Sequence, residues 1–96
     1  GDEYDAGRVL APAFGAEPLP LRRRAVMRAL QLMLGRDARV ETASVEAVLA
    51  AFDDEAGGMP RSGYVANIQG DLAVSANKRG VRIEPMSAYR ARRKRG

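Results

Sequence analysis

The clearest periodic pattern in the chain is helical and lies between residues 20 and 34. Apolar side chains recur there at three- and four-residue spacing, which is typical of an amphipathic helix. Pro20 suits the first turn of a helix, and Gly35 suits the residue that follows the last turn. The side chains predicted to face inward are Leu21, Ala25, Leu32 and Met33, with Val26, Ala29 and Leu30 between them.

A second helix is predicted after a six-residue connection at 36–41. Thr42 or Ser44 can cap its exposed N–H groups. Its apolar residues occupy positions i, i+3, i+4 and i+7 and form one face: Val45, Val48, Leu49 and Phe52. Three acidic residues at 53–55 oppose the negative end of the helix dipole, so we expect the helix to fray there.

From Met59 the period changes from helical to alternating, which is typical of strands joined by short turns. The predicted order is strand 64–68, turn 69–71, strand 72–77, turn 78–80 and strand 81–84, ending at Pro85. An isolated hairpin is unstable in water, so we expect the strands to pack on the helices. The fold class is therefore α+β, with two packed helices, a small antiparallel sheet of two or three strands, and a basic tail.

The two ends of the chain differ from its middle. Residues 1–18 are acidic and then rich in Pro and Gly, and we interpret them as a linker or preceding segment, with a short helix around 5 to 11 that Pro12 ends. Residues 19–86 form the predicted domain. Residues 87–96 form a tail that is either helical or disordered. Because the chain begins with Gly, we expect it to be a piece of a longer protein.

Positive charge is concentrated in the tail. The formal net charge is +4, and the last ten residues contain five basic residues and no acid, so the first 86 residues sum to −1. A local basic excess favours polyanionic partners. A second basic group lies on the first predicted helix. The candidate RNA-binding residues are Arg22, Arg23, Arg24, Arg28, Lys78, Arg79, Arg90, Arg92, Arg93, Lys94 and Arg95.

Each basic group also has a structural interpretation. Arg24 and Arg28 are four residues apart and share a helix face, which favours an anionic partner opposite them. The helix arginines are equally consistent with a solvated face paired to nearby Asp or Glu. The tail is consistent with contact to RNA, DNA or an acidic protein, or with a soluble end. Tyr89 is a candidate for stacking on a base.

The composition excludes several kinds of chemistry. The chain has no Cys and no His, which removes thiolate nucleophiles, disulfides and the commonest general base. Adjacent carboxylates such as Asp53 and Asp54 converge poorly on one metal ion, so we interpret them as a solvated helix end. We expect no metal and no cofactor in this chain. No apolar run is long enough for a membrane span, the amino end is acidic, and we predict a cytoplasmic protein.

The middle of the chain resembles the substrate-binding domain that follows the catalytic domain in tRNA(Ile)-lysidine synthetases. The resemblance covers residues 19–84 and starts with a Leu-Pro step and an arginine-rich helix at 19–30. It continues with the start of a second helix at 42–49. A strand–turn–strand at 68–72 and a basic hairpin at 78–83 follow in the same order.

The resemblance implies a noncatalytic, tRNA-binding domain. Such enzymes ligate lysine to an anticodon cytidine after adenylating the base with ATP. ATP and magnesium are therefore implied for the parent enzyme and not for this chain, which lacks the Ser-Gly-Gly-x-Asp-Ser loop of the ATP-pyrophosphatase domain. The implied partners are tRNA and the catalytic domain of the same chain, with no membrane.

Two other functions remain open. The chain is also consistent with a stand-alone nucleic-acid-binding protein with a basic tail, although the acidic second helix is a poor recognition helix. It is equally consistent with a protein-interaction module of a larger enzyme. An independent enzyme is disfavoured, because no nucleophile, base and oxyanion site come together in the sequence.

Overall fold

A computed structural model describes residues 7–94. The α+β class predicted from the sequence is confirmed. The elements in chain order are β1 (Arg8–Leu10), α1 (Leu19–Leu34), α2 (Thr42–Leu49), β2 (Phe52–Asp53), β3 (Met59–Pro60), β4 (Val65–Ile68), β5 (Leu72–Asn77), β6 (Gly80–Pro85) and α3 (Met86–Lys94). The tail predicted to be helical or disordered is helical as far as Lys94.

The main sheet is antiparallel and has the strand order β1-β6-β5-β4. The predicted hairpins are present, with Ile68 opposite Leu72 at one turn and Asn77 opposite Gly80 at the other. The sheet has one strand more than the sequence predicted, because β1 adds to the edge of β6. A separate two-stranded ribbon joins β2 to β3.

Strand β1 corrects the prediction of a short helix around residues 5 to 11. Arg8–Leu10 is extended, and Val9 lies opposite Arg82 of β6. Pairing there satisfies backbone groups that the open edge of β6 would otherwise leave exposed. The stretch interpreted as a linker thus contributes a strand, and the earlier part of that predicted helix, up to residue 6, lies outside the described residues.

The two faces of the sheet have opposite characters. One face presents apolar residues from alternate positions of β5 and β6 to the core under α1 and α2: Leu72, Val74, Ala76, Val81 and Ile83. The other face presents small, polar and charged side chains from the intervening positions, and α3 packs across part of it. The alternation read from the sequence is therefore confirmed, and it separates an apolar face from a polar one.

The inward-facing set predicted for helix α1 is only partly confirmed. Val26 and Leu30 from that set are completely buried, whereas Leu21 and Leu32 from the same set are 53% and 65% exposed. The helix has Leu, Met or Ala on several sides, so its pattern supports more than one inward face. Arg22 is also buried, one turn before Val26 on the same side of the helix, because the surrounding structure binds its guanidinium group.

Helix α2 has the predicted apolar face but not the predicted cap. Ser44 is buried in the helix, and its hydroxyl accepts a hydrogen bond from the Gln69 N–H (3.1 Å). The N-terminal capping position is Glu41, whose side chain makes no capping bond. All four predicted apolar residues are buried, but the helix ends at Leu49, so Phe52 reaches the core from β2.

Tyr64 connects the start of β4 to the end of α2. Its hydroxyl donates a hydrogen bond to the Ala47 carbonyl (2.6 Å). Partial burial raises the pKa of Tyr64, and the charge of Arg61 opposes that rise. Because the folded-state pKa is above the unfolded value near 10, this group favours the folded state at neutral pH and ceases to do so as pH rises through the folded pKa.

Replacing Tyr64 with Phe is therefore expected to lower the free energy of unfolding by about 1 kcal/mol at pH 7. Urea denaturation between pH 7 and pH 11 measures the effect. The difference between Tyr64→Phe and the parent should shrink at the alkaline end. The control Tyr89→Phe should stay within about 0.5 kcal/mol of the parent at pH 7. A difference for Tyr64→Phe that grows with pH would contradict the assignment.

Candidate nucleic-acid interface

The polar face of the sheet contains a shallow concavity of about 270 Å³. Three arginines contribute to its wall, together with polar and small residues. The lining residues are Val9, Ser75, Asn77, Arg79, Gly80, Arg82 and Arg92. Strand pairing explains the assembly, because Arg82 lies opposite both Val9 of β1 and Ser75 of β5.

The β5–β6 turn presents two basic side chains at one end of the concavity. The Asn77 carboxamide oxygen accepts a hydrogen bond from the Arg79 N–H (2.7 Å) and shapes the turn. Gly80 has a φ of 135°, and a Cβ there would lie 2.2 Å from the Leu10 carbonyl oxygen. Only glycine fits this position. Lys78 and Arg79 are exposed in this turn.

Helix α3 brings Arg92 to the same concavity. Met86 is buried at the start of the helix. Glu84 of β6 forms a salt bridge with Arg92. The side chains of Glu84 and Arg92 are 4% and 46% exposed. The hydrogen bond to Glu84 raises the pKa of Arg92, although partial burial opposes that change. Arg92 is thus fixed in place by the salt bridge, and nearly half of its side chain is exposed to solvent.

A tyrosine organises the basic residues around it on α3. The guanidinium carbons of Arg92 and Arg93 lie 5.6 and 5.7 Å from the centre of the Tyr89 ring, within cation–π range. Arg93 also donates a hydrogen bond to the Tyr89 hydroxyl (2.9 Å). Arg90 and Lys94 are exposed on the same helix. Basic residues in a last turn also complement the helix dipole. Arg95, the remaining predicted tail contact, lies outside the described residues.

The first two arginines of α1 are held by acidic and carbonyl groups. Arg22 is 6% exposed. Its Nε donates a hydrogen bond to the Glu17 carbonyl (2.8 Å), and it forms an ion pair with Asp54 at 3.4 Å. One of its terminal nitrogens is buried with no hydrogen-bond partner in the described structure. Arg23 forms an ion pair with Glu46 of α2. The structural interpretation, in which these arginines pair with neighbouring acidic residues, therefore applies to both Arg22 and Arg23.

Arg24 and Arg28 lie on a different side of α1 and are exposed. Within residues 7–94 neither takes part in an ion pair. They share a surface groove with Arg8 of β1. This groove is on the α1 side of the sheet, because Arg8 lies opposite Ile83, which faces the core. The predicted basic residues are therefore divided between two surfaces.

Arg8 and Arg82 were not among the RNA-binding residues predicted from the sequence. Arg82 stands between two core residues of an alternating strand, Val81 and Ile83, so the period of two already assigned it to the outer face. That signal was available and was not used. Arg8 had no comparable signal, because its strand was not predicted.

The described part of the chain contains no cluster of three or more metal-ligating side chains of the Asp, Glu, His or Cys type. None of the helices within it has the length and apolar character needed to cross a bilayer. Comparison of the chain with protein-family models, curated proteins and solved structures finds no match.

Proposed function

We propose that this domain binds RNA through the polar sheet face, the β5–β6 turn and helix α3. The observation that carries the proposal is the concavity that Arg79, Arg82 and Arg92 share. These residues come from a turn, a strand and a helix, so folding and not sequence proximity brings them together. Guanidinium groups bind phosphate oxygens through two parallel N–H donors.

The neighbouring groups fit the same ligand. Ser75 and Asn77 add neutral hydrogen-bonding groups to the concavity, which suits sugar hydroxyl and phosphate oxygens. Lys78, Arg90 and Lys94 extend the positive charge beyond it and favour a polymer over a single phosphate. Tyr89 supplies the aromatic ring on which an unpaired base can stack.

The sequence resemblance to lysidine synthetases supports tRNA as the proposed RNA. The helix, helix, strand and hairpin order of the resemblance corresponds to α1, α2, β4–β5 and β6. In this proposal the domain positions a tRNA in the cytoplasm for a catalytic domain of the same protein. The ATP-binding loop of that family is absent from this sequence, so no step of nucleotide chemistry is assigned to these residues.

Charge reversal at the turn tests the proposal. Lys78→Glu/Arg79→Glu is expected to weaken binding of an unmodified tRNA transcript by about tenfold or more at 50 mM salt. Each lost phosphate contact should also reduce the slope of log K against log salt by about 0.9. Fluorescence anisotropy over a salt series measures both quantities.

The matched control is Arg36→Glu/Arg39→Glu, which changes the net charge equally. The Arg39 carbonyl accepts a hydrogen bond from Gln69, at the opposite end of β5 from Lys78. The control should bind tRNA within about threefold of the parent, after the uniform loss expected from net charge. Equal losses in the two variants would refute the interface. Tighter binding to a DNA duplex than to tRNA would favour a stand-alone DNA-binding protein.

A further inference from the structure

Helix α1 carries more of the exposed large apolar side chains than any other described element. Seven large apolar side chains are exposed in the described structure, and four of them lie on this helix: Leu19, Leu21, Met27 and Leu32. Isolated apolar residues on a surface are ordinary, but a contiguous group on one helix marks an interaction site.

Two of these residues, Leu21 and Leu32, share one side of the helix and line a defined groove, and the other two line a separate one. Leu21, Ala25, Ala29 and Leu32 follow one another at four-, four- and three-residue spacing and form the floor of the first groove. The groove has a volume of about 420 Å³. From Leu21 to Leu32 it extends roughly 16 Å, three turns of helix. That length fits a second helix lying along α1.

The rim of the groove is positively charged. Arg8, Arg24 and Arg28 line it, and in the part of the chain that the structure describes none of the three forms an ion pair. Arg22 and Arg23 on the same helix are paired with Asp54 and Glu46. Arg24 and Arg28 are therefore the arginines of α1 whose charge no ion pair within residues 7–94 compensates.

The combination of floor and rim distinguishes between partners. The rim arginines could pair with phosphate, but a nucleic acid would leave the aliphatic floor uncovered, because the floor has no aromatic ring on which a base could stack. A second copy of this chain would bring Arg24 and Arg28 against the same arginines, and like charges repel. A helix with aliphatic residues along one face and carboxylates beside them would match both features.

We propose that this groove binds an acidic amphipathic helix of a partner protein. The partner's aliphatic side chains cover Leu21 and Leu32, and its carboxylates pair with Arg24 and Arg28. The surface is separate from the proposed RNA interface, because α1 packs on the apolar face of the sheet and the concavity lies on the polar face. The two proposed binding sites can therefore be tested independently.

A designed probe tests the proposal. The peptide has about 18 residues, with Leu at i, i+4, i+7 and i+11 and Glu beside each Leu, so that it forms about five helical turns. The parent domain should bind it, and Arg24→Glu/Arg28→Glu should weaken that binding by about tenfold or more. A second peptide with Lys in place of every Glu should show the reverse preference. Leu21→Ser/Leu32→Ser should weaken both interactions.

Two controls make the test specific. Lys78→Glu/Arg79→Glu carries the same charge change on the other face and should bind the acidic peptide within about threefold of the parent. A scrambled peptide of identical composition should bind at least about tenfold more weakly. Failure of the parent domain to bind the acidic peptide would overturn the proposal. Equal losses of peptide binding in the two charge-reversal variants would also overturn it. Self-association through this face in sedimentation would do the same. So would a loss of tRNA binding in Arg24→Glu/Arg28→Glu while peptide binding is retained.

Discussion

Replacing Leu30 with Ala is expected to lower the free energy of unfolding by about 3 kcal/mol, within the usual range for a buried leucine. Leu30 is completely buried in the core between α1 and the sheet. The substitution removes three side-chain carbons and leaves a cavity that close-packed neighbours fill only in part. A domain of this size has marginal total stability, so thermal unfolding should shift downward by roughly 10 °C or more.

The same substitution two residues later is the matched control. Leu32 is 65% exposed, so Leu32→Ala should change stability by no more than about 0.5 kcal/mol. Both variants keep a strong helix former in α1, and only the burial of the removed atoms differs. Chemical denaturation followed by circular dichroism measures both. A larger loss for Leu32→Ala than for Leu30→Ala would mean that Leu32, and not Leu30, faces the core.

Replacing Arg92 with Ala is expected to lower the free energy of unfolding by about 2–3 kcal/mol. The loss arises mainly at Glu84, whose buried carboxylate would remain without its cation. Because nearly half of the Arg92 side chain is in solvent, we expect less than the full effect of breaking a completely buried pair.

A double-mutant cycle separates pairing from packing. Glu84→Gln removes the charge, so Arg92→Ala in that background should cost about 1 kcal/mol less than in the parent. Arg90→Ala, on the same helix and without an ion pair in residues 7–94, should stay within about 0.5 kcal/mol of the parent. If Arg92→Ala costs the same in both backgrounds, the salt bridge does not hold α3 on the sheet.

The second half of the fold was predictable because local signals there agree with one another. Alternation in β5 and β6 fixes which face each residue occupies, and the two turns contain Gly70 and Gly80, each of which has a positive φ. Short antiparallel strands joined by such turns need no information from distant parts of the chain. The three strands β4, β5 and β6 were therefore predicted correctly.

The first half was less predictable because distant contacts decide it. Whether Leu30 or Leu32 of α1 is buried depends on the position of α2 and not on helical period. The burial of Arg22 depends on Glu17 and on Asp54, which is 32 residues away along the chain. Strand β1 forms by pairing with the edge of β6, which is distant from it along the chain. Composition and periodicity carry none of this information.

The candidate RNA interface shows the same division. The basic character of Arg79 and Arg92 was evident from the sequence, but their placement beside one concavity follows from strand register and from the Glu84 salt bridge. The sequence also grouped Arg22 with Arg24, although α1 directs the first into the structure and the second to the surface. A run of like charges in the sequence shows how much charge is present, but it does not show which of the charged side chains are accessible to a partner.

The pairing of β1 with β6 has a consequence for how the protein folds during synthesis. Arg8 and Ile83 are partners in the sheet although they are 75 positions apart in the chain. At typical translation rates the ribosome needs roughly 4 to 15 seconds to make the intervening residues. Throughout that time β1 has no native partner, and loop closure over this distance makes its docking a late event. The hairpin of β5 and β6 therefore forms first and serves as the template onto which β1, although synthesised before it, is finally added.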